Sequence, residues 1–167
     1  ANIEDLERKI TPKTKALIIN NPNNPTGVVY SEETIKKVAA ILDAKQKEYG
    51  TEIFIVSDEP YRELAYDGVE VPYITKYYNN TIVGYSFSKS LSLPGERIGY
   101  LVIPDEVDDA EQMKTAAAIA TRVLGFVNAP SLMQRAVARC IDAKCDVDSY
   151  NRNREALYNG LVKLGFE

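Results

Sequence analysis

The stretch "YSFSKSLSLPGERIGY", residues 85–100, places one lysine, Lys89, among serines and one arginine, Arg97, eight positions later. Its start completes an apolar run, "TIVGYS" (81–86), and its end opens another, "IGYLVI" (98–103). Between them, Leu93-Pro94-Gly95 can neither continue a helix nor sit in a central strand. The stretch therefore reads as strand, turn, strand, with both cations in the connection. A solvated loop is the ordinary account of such a Lys/Arg pair. The rest of the chain decides whether it suffices.

Working outward, "KALIIN" (15–20) and "EIFIVSD" (52–58) are further short apolar runs of strand length. Ser31 followed by Glu32 and Glu33 is a helix start, since a side-chain oxygen caps free N–H groups and the dipole favours carboxylates there. Ile35, Val38, Leu42 and Tyr49 then recur at helical spacing, and Gly50 ends the helix. "NIEDLERKI" (2–10) is an acidic helical turn, and helical patterns run over about 108–124, 130–143 and 148–164, the last closed by Gly165. Apolar runs alternating with helices predict an α/β fold, a mostly parallel sheet sandwiched by helices. Only a loop joins the third strand to the fourth, so the fourth can run antiparallel.

Composition narrows the function classes. The 167 residues suit one domain with a sizeable core; 45% are hydrophobic and 26% charged, which is globular and not disordered. The net charge of −4, with signs mixed along the chain, offers no basic face to nucleic acid or an anionic membrane. No apolar run nears the roughly 18 residues of a membrane span, and no signal segment opens the chain. We expect a cytoplasmic protein. There is no histidine, so neither a Ser-His-Asp or Cys-His apparatus nor a histidine metal site is available, and no metal is expected. Cys140 and Cys145 fall on a helix-like stretch and read as structural thiols.

In open α/β sheets the ligand crevice lies beyond the carboxyl ends of the strands. There the first strand runs into "NNPNNPTG" (20–27), the second into Ser57-Asp58-Glu59-Pro60-Tyr61, and the third into Ser86-Phe87-Ser88-Lys89. Each residue alone has a structural explanation: Asn-Pro is a turn, Asp caps helices, and exposed lysine is the default. Together they form a set. Lysine bonds carbonyl compounds as a Schiff base, and pyridoxal phosphate uses such a lysine together with an acidic or basic partner at its ring nitrogen, where a carboxylate keeps that nitrogen protonated. An amide and a phenol suit its ring hydroxyl, and a cation with serine hydroxyls suits its phosphate.

Four segments, "NNPNNPTG", "VSDEPYREL", "YSFSKSLSLPGERIGY" and the helical tail, resemble the large domain of the class I/II, fold type I pyridoxal-phosphate aminotransferases in order and spacing. The resemblance implies pyridoxal 5'-phosphate as cofactor, an α-amino acid and a 2-oxo acid as substrates, and a homodimeric parent protein. It implies Lys89 as the Schiff-base lysine and proton shuttle, and Asp58 as partner of the pyridinium nitrogen. Asn24 and Tyr61 are implied at the ring hydroxyl, and Ser86, Ser88 and Arg97 at the phosphate. The family often holds the peptide before the proline matching Pro25 in cis.

The same resemblance implies that residues 1–147 are part of the cofactor-binding large domain and 148–167 the start of an interdomain helix leading to a small domain. The phosphate-cupping loop and the arginine that grips the substrate carboxylate are not among these residues, so the chain by itself is expected to be an inactive fragment. Asn128 to Ser131 resemble a helix start near the family's dimer interface. "YRELAYDG" (61–68) reads as a surface turn, and Tyr73, Tyr77 and Tyr78 as packing over the sheet. A pyridoxal-dependent C–S β-lyase, a cyclopropane-forming synthase and a non-catalytic truncated homologue share most of these motifs.

Overall fold

A computed structural model describes residues 2–166. Helix α1 (Ile3–Lys9) precedes strand β1 (Ala16–Asn20), then α2 (Glu32–Tyr49), β2 (Phe54–Asp58), β3 (Thr81–Ser86), the short α3 (Phe87–Ser90), β4 (Gly99–Val102), α4 (Ala110–Val123), α5 (Ser131–Arg139) and α6 (Val147–Lys163). The four strands lie in sequence order. β1, β2 and β3 pair in parallel, and β4 returns antiparallel along β3. The α/β fold class and the antiparallel fourth strand agree with the sequence pattern.

α2 starts where its capping chemistry puts it: the Ser31 side chain accepts from the Thr34 N–H, and Gly50 closes the helix in the left-handed region at φ 64°. Its apolar stripe of Ile35, Val38 and Leu42 is buried against Ile19 of β1 and Ile55 of β2. Each such side chain contributes about 1.5–3 kcal/mol by leaving water. Tyr78 closes one end of this core, its hydroxyl bonded to the Ile53 carbonyl. Of the three tyrosines expected over the sheet, Tyr78 is buried and Tyr77 packs against the core, whereas Tyr73 is 52% exposed. Arg62 lies over the Tyr73 ring instead, at 3.8 Å.

Cover is concentrated on the α2 side of the sheet. On the other side Ile18 is 72% exposed, and α4 and α6 bury no residue completely. A smaller cluster of Phe87, Ile98 and Val137 fastens α5 to the α3–β4 connection. None of the helices among the described residues is long and apolar enough to cross a membrane.

Three local readings are corrected. The β3–β4 connection is not a plain loop: it folds as α3 followed by a 3₁₀ turn at Pro94–Glu96, because Ser86 caps α3 and Pro94 opens the turn. Lys89 is therefore helical. α5 ends at Arg139 rather than 143, so Cys140 is its exposed C-cap and Cys145 lies in the loop before α6; both thiols are free. β2 begins two residues later than its apolar run, since the Ile53 N–H is taken by the Gln46 side chain at 2.7 Å.

Where β3 meets β4, Tyr85 stacks on Tyr100, its register partner, with ring centroids 5.0 Å apart. One step along, Gly99 faces Ser86, and a Cβ at residue 99 would stand 2.3 Å from the Tyr85 carbonyl oxygen. Backbone cannot yield as a flexible side chain can. Gly99→Ala should therefore cost about 1–3 kcal/mol through strand displacement, read as a lowered urea midpoint; an unchanged midpoint would show that β4 shifts freely.

Candidate active site

The parallel register brings three strand ends level. Asn20 pairs with Asp58, and Asp58 with Gly84, two residues before Ser86. Just beyond the ends of β1 and β2 the ladder goes on for one backbone bond each, Asn21 N–H to the Asp58 carbonyl and Glu59 N–H to the Gly84 carbonyl, and side-chain bonds then hold the chain.

After β1, the buried Asn21 accepts the Tyr30 N–H at 2.8 Å. The Asn23 side chain accepts from the Thr26 hydroxyl at 2.7 Å, while Gly27 N–H returns to the Asn23 carbonyl at 2.8 Å. The Asn21–Pro22 and Asn24–Pro25 peptides are both cis. This turn presents Asn24 at the surface, where its Nδ2 donates to the Tyr61 hydroxyl at 2.8 Å. Lys89 Nζ lies 5.3 Å from the centroid of the same Tyr61 ring. Asn24, Tyr61 and Lys89, candidates from three separate segments, thus form one row.

Asp58 joins that row through a residue absent from the candidate set. Asn20 Nδ2 donates to Asp58 Oδ2 at 2.9 Å and to the Asp58 carbonyl at 3.1 Å, while Asn20 Oδ1 accepts the Asn24 N–H at 2.8 Å. The signal lies in the strand lengths: two parallel strands ending together place their last residues side by side.

The remaining candidates occupy the α3–β4 connection. Ser86 Oγ lies 2.6 Å from Ser88 Oγ and accepts the Ser88 N–H at 3.2 Å. Arg97 is brought near them by backbone, since Phe87 N–H bonds the Ile98 carbonyl at 3.2 Å. Its guanidinium does not bond the serines; Nη1 donates to the Pro94 carbonyl at 2.7 Å, and the residue holds φ 53°.

Behind Asp58 and Tyr61 sits a buried ion pair that the sequence pattern does not single out. Glu59 is 3% exposed. It accepts from Ser57 Oγ at 2.6 Å and from Arg62 Nε at 2.7 Å, and Arg62 also donates to the carbonyls of Val71 and Pro72. The pair fixes the turn between Asp58 and Tyr61 from beneath. Beside it, Arg154 of α6 clamps Asp67 through two bonds of 2.8 and 3.0 Å and lies over the Tyr66 ring at 4.7 Å. "YRELAYDG" is thus a turn, but one tied to the last helix. Asn24, Tyr61, Tyr66 and Arg154 line a cleft of about 550 Å³ there.

Comparison with known proteins gives this geometry a context. A family model described as "Aminotransferase class I and II" matches residues 1–167. A probable aspartate/prephenate aminotransferase of Thermus aquaticus is 33% identical over 98% of this chain and 42% of its own length. A probable N-acetyl-LL-diaminopimelate aminotransferase of Bacillus subtilis is 32% identical over 97% of this chain and 39% of its own. Among solved structures, an amino transferase from Eubacterium rectale superposes with TM-score 0.96 at 54% identity, covering 99% of this chain and 42% of that one. The N-succinyldiaminopimelate aminotransferase of Mycobacterium tuberculosis gives TM-score 0.83 at 28% identity, again over 99% and 42%. The chain thus spans about 42% of the length of such relatives.

The buried pair makes a clean stability test. Glu59→Ala strands the Arg62 guanidinium in a site where it is 13% exposed, at a cost of about 3–5 kcal/mol. Adding Arg62→Met should recover part of that loss. Denaturant unfolding of both singles and the double closes the cycle, and strict additivity would show that the two charges do not depend on each other.

Proposed function

The chain belongs to the class I and II aminotransferase family, and from that premise we propose that its protein moves an amino group between an α-amino acid and a 2-oxo acid, using pyridoxal 5'-phosphate. The observation that carries this reading is the single network from Asp58 through Asn20 and Asn24 to Tyr61, with Lys89 over the Tyr61 ring. Its donors and acceptors fit the cofactor's chemistry at each end. Asp58 offers a carboxylate for a ring nitrogen, and Asn24 with Tyr61 offers an amide and a phenol for a ring oxygen. The paired hydroxyls of Ser86 and Ser88, with the Arg97 cation, suit a phosphate.

When bound, the cofactor supplies an electron sink for charge developing at the substrate α-carbon. The chain's residues do the rest. Lys89 Nζ would be the amine that holds the cofactor through its aldehyde carbon, and it would also be the base placed to carry a proton from the substrate α-carbon. Asp58 holds a proton at the ring nitrogen, and Asn24 and Tyr61 orient the ring by its oxygen. Arg97 would anchor the phosphate.

The same proposal assigns residues 1–147 to the cofactor-binding large domain and the segment from 148, within α6, to a helix leading toward a small domain, with a homodimer as the working assembly. Turnover is assigned to the whole protein. The 167 residues alone should be inactive, a reading supported by apolar side chains left open to water, among them Ile18, Leu124, Phe126 and Leu164.

The test uses the full-length protein with pyridoxal 5'-phosphate, a panel of amino acids and 2-oxoglutarate. Formation of glutamate supports transamination; ammonia with pyruvate from a sulfur amino acid would point to β-elimination instead. Lys89→Ala should lower turnover by at least about 10²–10⁴-fold and abolish the visible absorbance of the bound cofactor. Retention of both would remove Lys89 from its assigned role. Robust turnover by the 167-residue chain would refute its assignment as an inactive piece.

A further inference from the structure

We propose that Asn20 is a positioning residue of this site, its one side-chain amide holding Asp58 and Asn24 in fixed relation. The proposal rests on the cofactor reading above, because the two residues it joins are those assigned to the nitrogen and the oxygen of one ring.

The orientation of the amide is set by its surroundings. The Asn24 backbone N–H can only donate, and it points at Asn20 Oδ1 from 2.8 Å. The other end must then be the NH₂, which meets Asp58 Oδ2 at 2.9 Å and the Asp58 carbonyl at 3.1 Å. A flipped amide would set an NH₂ against an N–H and an oxygen against a carboxylate. One carboxylate oxygen of Asp58 is thereby engaged, which fixes the direction in which the other is offered.

The asparagine is suited to this by length as well as polarity. Register places Cα of Asn20 opposite Asp58 at the last rung of the β1–β2 ladder. From there a side chain must span to the carboxylate on one side and to the backbone four residues ahead on the other. Serine is too short to reach both. Aspartate would face Asp58 with a second carboxylate and no donor.

The bond to Asn24 matters for a second reason. That residue's side chain donates to the Tyr61 hydroxyl at 2.8 Å, so Asn20 fixes the backbone that aims this donor. An amide directed at a cofactor ring oxygen withdraws charge from it. If the amide drifts, the bound chromophore becomes more basic, and its visible spectrum titrates at higher pH.

The experiment compares the full-length protein with Asn20→Ala and Asn20→Ser, the milder variant serving if the first does not fold. Equilibrium dialysis reads pyridoxal 5'-phosphate affinity, and absorbance against pH reads the midpoint of the bound chromophore. We expect affinity to fall roughly ten-fold, the scale of one hydrogen bond to a charged group, and the midpoint to rise by about half a unit or more. In an Asn24→Ala background the midpoint should no longer respond to residue 20. Thermal destabilisation with unchanged affinity and midpoint would overturn the proposal, leaving Asn20 a strand-end residue. Absence of any bound chromophore in the unmodified protein would overturn the cofactor reading, and this proposal with it.

Discussion

Register between β1 and β2 is the constraint on which the site depends. A parallel ladder has one freedom, the offset of one strand against the next, and a one-residue slip sends every side chain to the other face. With Ile19 opposite Ser57 and Asn20 opposite Asp58, the inward-facing Ile19 and Ile55 pack beneath α2. The polar ends meanwhile fall together at the rim. The core under α2 and the Asn20–Asp58 bond are thus two results of one alignment. A slip to bring other polar groups together would expose Ile19 and Ile55.

Beneath that rim the chain buries charge, which is costly unless geometry compensates. Glu59 and Arg62 meet this condition through excess bonding: the carboxylate takes a serine hydroxyl and a guanidinium, while the guanidinium also holds two carbonyls and a tyrosine face. The arrangement contributes less to net stability than to definition, since each partner left alone would be a buried unpaired ion. Asp58 directly precedes it in sequence and Tyr61 lies between its two members. Their directions are set from below by the ion pair and from the side by Asn20 and Asn24, which leaves the turn little freedom to reorient.

How much of this is legible in the sequence depends on how local each determinant is. α2 is readable because Ser31, Gly50 and the stripe of Ile35, Val38 and Leu42 act within a few turns. Asn24, Asp58, Tyr61 and Lys89 are readable as candidates because strand ends in an α/β sheet are where chemistry collects. Asn20 lies in plain view but needs pairing between strands 38 residues apart, a relation that composition does not carry. The Arg154–Asp67 clamp joins positions 87 apart on an exposed turn and a helix, and no periodicity announces it. α3 escapes pattern reading for the opposite reason: it is only four residues long, too short for any periodicity, and exists because Ser86 caps it.

The same connection shows where the backbone carries strain. Of the described non-glycine residues, four hold positive φ, and two of them, Ser92 and Arg97, fall between α3 and β4. Such residues persist only where surrounding structure over-determines them. Here the constraints are identifiable: Phe87 N–H is committed to the Ile98 carbonyl, Phe87 and Ile98 are buried with Val137, and Gly99 must pass within contact of Tyr85. A chain so fixed at both ends has to reverse inside a few residues, and the left-handed conformation at Arg97 accomplishes it. A glycine would adopt that φ more readily. An arginine stands there instead, and its guanidinium secures the turn by donating to the Pro94 carbonyl at 2.7 Å.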